Sequence, residues 1–152
     1  MTDLASNQSH IVLVTGIIEK DGKFLISQRS MEESHLPGWW SIPGGKVERT
    51  EKEEQDILEK TLKREILEEV GVEIENNPVL ISDSTFIRST GQMVIWLVFL
   101  CKWKSGEARA LDECIDVAWV NIANLEKYKV SKEIVSLINT ASNYLNYPTI
   151  TK

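Results

Sequence analysis

The chain has little of what would tie it to a disulfide scaffold, a polyanion or a bilayer. Its 152 residues hold two cysteines, Cys101 and Cys114, too few for a disulfide framework and without the CxxC spacing of a structural metal site. Cationic charge is also short: 17 Lys and Arg stand against 23 Asp and Glu, a net charge of −6. No global basic field exists to draw in a nucleic-acid polymer. The longest apolar run, Met93–Cys101, is nine residues, well below the length needed to span a bilayer. Met1-Thr2-Asp3-Leu4 offers neither a basic n-region nor an apolar h-region, so no signal peptide is read there. The expectation is a cytoplasmic protein of a reducing compartment, with no membrane partner and a buried, inert thiol at Cys101. At 42% hydrophobic and 26% charged, residues 1–152 read as one globular domain.

What the chain does have is an acidic helix of unusual layout. In Arg64-Glu65-Ile66-Leu67-Glu68-Glu69-Val70-Gly71-Val72, three carboxylates stand at i, i+3 and i+4. At 100° per residue Glu68 and Glu69 lie within about 60° of Glu65, so all three point one way. Leu58, Leu62, Ile66 and Val70 keep an i+4 apolar rhythm, and Glu69 falls angularly between Leu58 and Leu62. A solvated acidic face is the ordinary reading of such a cluster. An ionised carboxylate inside an apolar stripe, however, needs a cation or hydrogen-bond donors to offset its desolvation.

Around this helix the pattern is mixed α/β. Ile11–Ile18 and Phe24–Arg29 read as a hairpin across Lys20-Asp21-Gly22-Lys23. Thr50 with Glu53 forms a capping-box pattern, Gly71 stands where a C′ glycine belongs, and 51–70 contains no Gly or Pro. That predicts one long helix beginning near Thr50. Strand segments follow at 72–74, 79–82, 84–88, 93–103 and 117–120, and Ser131–Leu145 reads as a closing amphipathic helix. Strands on both sides of one helix imply a mixed sheet with helices packed on it.

Gly45-x5-Glu51 followed by Arg64-Glu65-Ile66-x-Glu68-Glu69-x-Gly71-Val72 resembles the Nudix box, G-x5-E-x7-R-E-U-x-E-E-x-G-U, and its second half matches at every specified position. Gly38-x-Trp40-x-x-Pro43-Gly44-Gly45-x-x-Glu48 resembles the family's lead-in, and Asp112-Glu113 with Trp119-Val120 its later acidic loop and strand, so the likeness spans roughly residues 10–125. The chain departs from the family in one place. Twelve residues separate Glu51 from Arg64 where the family has seven; counting back from Arg64, the first-Glu position holds Asp56. Five more helical residues would turn Glu51 by about 140° and shift it about 7.5 Å, so Glu51 and Asp56 cannot both serve that role. The helix formers favour a helix extended at its N-terminal end; a bulged loop ahead of a helix starting near Asp56 is the other solution.

The resemblance implies an α/β/α sandwich and a Mg²⁺- or Mn²⁺-dependent pyrophosphohydrolase. Hard divalent ions prefer oxygen ligands and offset the charge of a diphosphate. The implied metal ligands are Glu65, Glu68, Glu69, the Gly44 carbonyl and Glu113. Glu65 or Glu113 is the implied general base, and Arg64 is placed to orient Glu68. Arg29, Trp40, Phe86 and Arg88 match positions where members of the family contact substrate, although an exposed Arg29 and a packed Trp40 are the plainer readings. The substrate implied first is a nucleoside triphosphate, cleaved to monophosphate and pyrophosphate. The alternatives are a sugar nucleotide such as ADP-ribose, or a domain that senses nucleotides without cleaving them. A homodimer is the family's oligomeric expectation.

Overall fold

The computed structural model describes residues 9–146. Strand β1 (Ile11–Lys20) runs through the middle of the sheet, parallel to β7 (Met93–Ser105), with pairs from Ile11–Val94 to Glu19–Lys102. β1 turns through Asp21-Gly22 into β2 (Lys23–Arg29), but the two pair only at Glu19–Phe24 and Lys20–Lys23. β4 (Gly44–Lys46) instead pairs with Leu13, Val14 and Thr15. β2 itself pairs with the short β3 (Trp40–Ser41) on one side and with β8 (Cys114–Val120) on the other. The two-residue β5 (Glu73–Ile74) and β6 (Val79–Ile87) pair antiparallel with β7. β6 is continuous where the sequence suggested two segments. A bulge between Leu80 and Ser82 absorbs the irregularity without ending the ladder.

The period-2 side-chain alternation of β1 feeds two cores, as a sheet covered on both faces requires. Val14 and Ile18 point to one face and pack with Leu62, Ile66 and Val70 of helix α1 (Ile57–Val70). Ile17 points to the other, packing with Ile134, Ile138 and Ala141 of helix α2 (Lys132–Asn146). This is the expected α/β/α arrangement. A short 3-10 helix, Ile122–Lys127, leads towards α2, whose first turn is capped by Ser131 Oγ accepting from the Ile134 N–H at 3.3 Å. Leu62, Ile66 and Val70 have no exposed surface, and burial of each contributes about 1.5–3 kcal/mol. Cys101 is buried beside them, and burial raises its thiol pKa. No helix among the described residues is long and apolar enough to cross a membrane.

The start of α1 corrects the sequence reading. The helix begins at Ile57, not near Thr50, and the five additional residues lie in the loop before it. Asp56 stands at φ 56°, ψ 33°, a left-handed conformation that cannot continue a right-handed helix. The Thr50 hydroxyl donates to the Lys52 carbonyl at 2.6 Å and so closes a local turn rather than capping a helix. The other end is as expected: Gly71, at φ 75°, donates its N–H to the Leu67 carbonyl at 3.0 Å.

Candidate functional site

The glycine pair of β4 lies directly against the acidic face of α1. A Cβ on Gly45 would stand 2.3 Å from Glu65 Cδ, and one on Gly44 would stand 2.1 Å from the Val14 carbonyl oxygen. Both contacts are far inside van der Waals distance: at Gly44 the obstacle is the β1 backbone, which only glycine avoids, and at Gly45 it is the Glu65 side chain, which would have to move. The same approach sends the Gly44 N–H to Glu69 Oε2 at 3.3 Å, while Ser27 Oγ on β2 donates to Oε1 at 3.3 Å. Glu69 therefore sits between helix and sheet with both oxygens held. Its place inside the apolar stripe is compensated by two donors.

This position is costly. Desolvation pushes the Glu69 carboxyl up to about 7 against the donors from Gly44 and Ser27, and nearby Glu65 adds to the rise. Glu65 is also raised, first by burial, with Glu68 and Asp112 contributing and Arg64 opposing. Arg64 Nη1 spans Glu65 Oε1 at 3.1 Å and Glu68 Oε2 at 3.5 Å. Neither Glu51 nor Asp56 forms an ion pair with it; both of its carboxylate partners lie within the helix itself, and the Glu68 pair is the one the sequence implied.

The far end of α1 brings the late acidic loop to the same place. Arg109 and Leu111 donate their N–H groups to the Val70 and Glu69 carbonyls at 2.9 and 3.0 Å, satisfying acceptors a helix end leaves open. That docking presents Asp112 and Glu113. Asp112 is the one close enough to raise Glu65, whereas Glu113 is raised by a hydrogen bond shared with Glu33, by the Glu33 charge and by Asp112. Arg29 ends β2 at the same rim, with Nη2 3.3 Å from Glu33 Oε2 and Nε donating to the His35 carbonyl at 2.9 Å. Sequence reasoning missed Ser27 and Glu33 as neighbours of the site and passed over Asp112 in favour of Glu113. Only the Asp112-Glu113 pair carried a local signal.

Three residues expected at the substrate make their contacts away from the α1 carboxylates. Trp40 packs edge-on against Tyr128, with centroids 5.0 Å apart, in the cluster beneath α2. Phe86 makes an edge contact at 6.2 Å with Trp96, which belongs to that same cluster. Arg88 closes the turn after β6, its N–H donating to the Gln92 carbonyl. None of the three has a hydrogen bond, ion pair or ring contact with the α1 carboxylates among the described residues.

The donor set suits a hard divalent cation in kind: carboxylate oxygens on one helical face, two of them with raised pKa values that a cation would reverse. Among the described residues no three acidic, His or Cys groups are already converged on one point. Glu68, half exposed and turned to Arg64, is the carboxylate that would have to swing inward.

Comparison with known proteins gives the family and the fold. The NUDIX domain family matches residues 9–138, most of the chain, and the chain belongs to that family. It is a Nudix-type pyrophosphohydrolase by class. A nucleoside triphosphatase, NudI, of Escherichia coli K12 is 30% identical over 128 residues, covering 78% of this chain and 87% of that protein. A MutT Nudix hydrolase from Burkholderia pseudomallei shares the fold with a TM-score of 0.70 at 24% identity, over 90% of this chain and 98% of that one. The Nudix domain of NrtR from Shewanella oneidensis, solved with ADP ribose, superposes at a TM-score of 0.72 and 19% identity, over 96% of this chain and all of that one.

Proposed function

We propose that the protein hydrolyses a nucleoside triphosphate to the monophosphate and pyrophosphate, using Mg²⁺ or Mn²⁺ at Glu65, Glu68 and Glu69, with Gly44 and Glu113 completing the site. The observation that carries this reading is the seat of Glu69 between Ser27 and Gly44, beside a Glu65 carboxylate that is itself raised by burial. A structural helix face gains nothing from such crowding. The triphosphate preference is supported by the name and 30% identity of NudI. A bound divalent ion supplies charge neutralisation and water activation. The chain supplies the rest. Arg64 holds Glu65 and Glu68 in register, and Glu65 is placed to accept a proton from the attacking water. Arg29 stands at the rim, where a phosphoryl group could take it from Glu33. Glu113 is the other proton acceptor within this set.

Incubation with Mg²⁺ and a panel of nucleoside triphosphates, nucleoside diphosphates and nucleoside diphosphate sugars tests the proposal. Triphosphates are expected to be the best substrates and to release pyrophosphate, and Glu68→Gln is expected to lower turnover by about a hundredfold. Tight, metal-dependent binding with no turnover of any panel member would favour a nucleotide sensor instead. Preferred cleavage of ADP-ribose would move the assignment to sugar nucleotides.

A further inference from the structure

The residues that lengthen the approach to α1 build a cavity of about 390 Å³ against the outer side of the helix. Arg49, Lys60 and Arg64 line it with three cations, Glu48 and Glu54 with two carboxylates, and Thr50 and Thr61 with hydroxyls. Lys60 and Arg64 stand one turn apart on α1, about 6 Å along its axis, and Arg64 is also the residue that bridges Glu65 and Glu68. The cavity therefore shares a wall with the carboxylate site. Lys60 is held loosely by Glu54 at 3.7 Å, and the Arg49 guanidinium is exposed with no ion pair or hydrogen bond among the described residues. An unpaired guanidinium, a second cation and hydroxyls around an open space match what a phosphoryl group asks for.

The need for such a site follows from the charge balance. The chain is net negative, and the carboxylate site gathers Glu65, Glu68, Glu69, Asp112, Glu113 and Glu33. A diphosphate would be neutralised by metal there, whereas a further terminal phosphoryl group would need cations supplied by the chain itself. We infer that the cavity formed by the inserted loop is an anion subsite for the terminal phosphoryl group of a polyphosphate substrate, with Arg49 and Lys60 as its cations. This rests on the diphosphate hydrolase reading of the adjacent site, and it makes the insertion a determinant of triphosphate over diphosphate preference.

The test uses the Mg²⁺-loaded protein, wild type against Arg49→Gln and Arg49→Gln/Lys60→Gln. Arg49 is exposed, so the single variant is expected to fold as the wild type does, checked by circular dichroism. In kinetics, KM for a nucleoside triphosphate rises about tenfold in the variants while KM for a nucleoside diphosphate sugar is unchanged. In calorimetry, tripolyphosphate binds the wild type more tightly than pyrophosphate does, and the difference collapses in the variants. Equal effects on both substrates, or none on the triphosphate, overturn the inference. If orthophosphate binding depends on Arg49 as strongly as tripolyphosphate binding does, the cavity is a free-phosphate site and the inference also fails. Should no nucleotide be turned over, the hydrolase reading falls alone, and the tripolyphosphate comparison still decides for or against the subsite.

Discussion

The two ends of α1 are built on opposite terms. The C-terminal end is tied down by Gly71, by the Arg109 and Leu111 amides on its last carbonyls, and by Gly44 and Ser27 on Glu69. The N-terminal end begins at a left-handed Asp56 that makes no side-chain cap, after a loop whose side chains are largely exposed. The carboxylates sit on the anchored half and the insertion on the loose half. The helix can therefore accept five more residues at its approach without moving its carboxylate face, because the face is positioned from the sheet and the late loop rather than from the helix start. Loop length itself costs little.

The largest expected effect that follows from this contrast is on stability, and it falls on the anchored end. Glu69 has its folded-state pKa raised from 4.5 to about 7, so between those values the folded state binds more protons than the unfolded chain. Stability of the metal-free protein is therefore fully present below the unfolded pKa and is lost as pH rises towards 7, by about 3 kcal/mol at most. Urea melts of metal-free protein from pH 4.5 to 7.5 should show this slope, and Glu69→Gln should make it clearly shallower, the raised Glu65 keeping part of it. Parallel curves for the two proteins would remove Glu69 as its source.

Next in size is the close approach of β4. Gly45→Ala places a methyl group 2.3 Å from Glu65 Cδ, so either Glu65 rotates away or β4 shifts from the helix. A displacement of that order is expected to lower kcat about a hundredfold. Steady-state kinetics on a triphosphate, beside a thermal melt, checks it. Full activity in this variant would show that Glu65 does not need the position it occupies here.

The same contrast explains what could be read from the sequence. Arg64 to Gly71 was legible because helical spacing alone puts Glu65, Glu68 and Glu69 together, and because Gly71 closes the helix by its own backbone geometry. The α/β/α fold was legible because β1 alternates Val14, Ile18 against Ile17 and the helices carry apolar stripes to match. The start of α1 misled because Thr50 and Glu53 satisfy a capping pattern and 51–55 are compatible with helix. Local propensity cannot register that β4 is fixed against Glu65, which decides where the chain must turn. Ser27 and Glu33 were invisible for a related reason: each reaches the site across strands or loops far away in sequence. Trp40 and Phe86 lie at positions that match the family's pattern, yet their rings pack with Tyr128 and Trp96 on the α2 side of the sheet.

The smallest predicted effect probes the loose end directly. A non-glycine residue in the left-handed region costs on the order of 1 kcal/mol, less for Asp than for most residues. Asp56 stands there at φ 56° and caps nothing with its side chain. Asp56→Gly removes the strain but frees the unfolded chain, so the net gain is small, about 0.5 kcal/mol or less. If the approach is only a tether for the anchored face, kcat with a triphosphate stays within about twofold of wild type, since Asp56 forms no ion pair with Arg64. A large loss of turnover with an unchanged melt would mean that Asp56 acts as the first acidic residue of the box. It would also mean that the loop, and not the sheet alone, holds Glu65 in place.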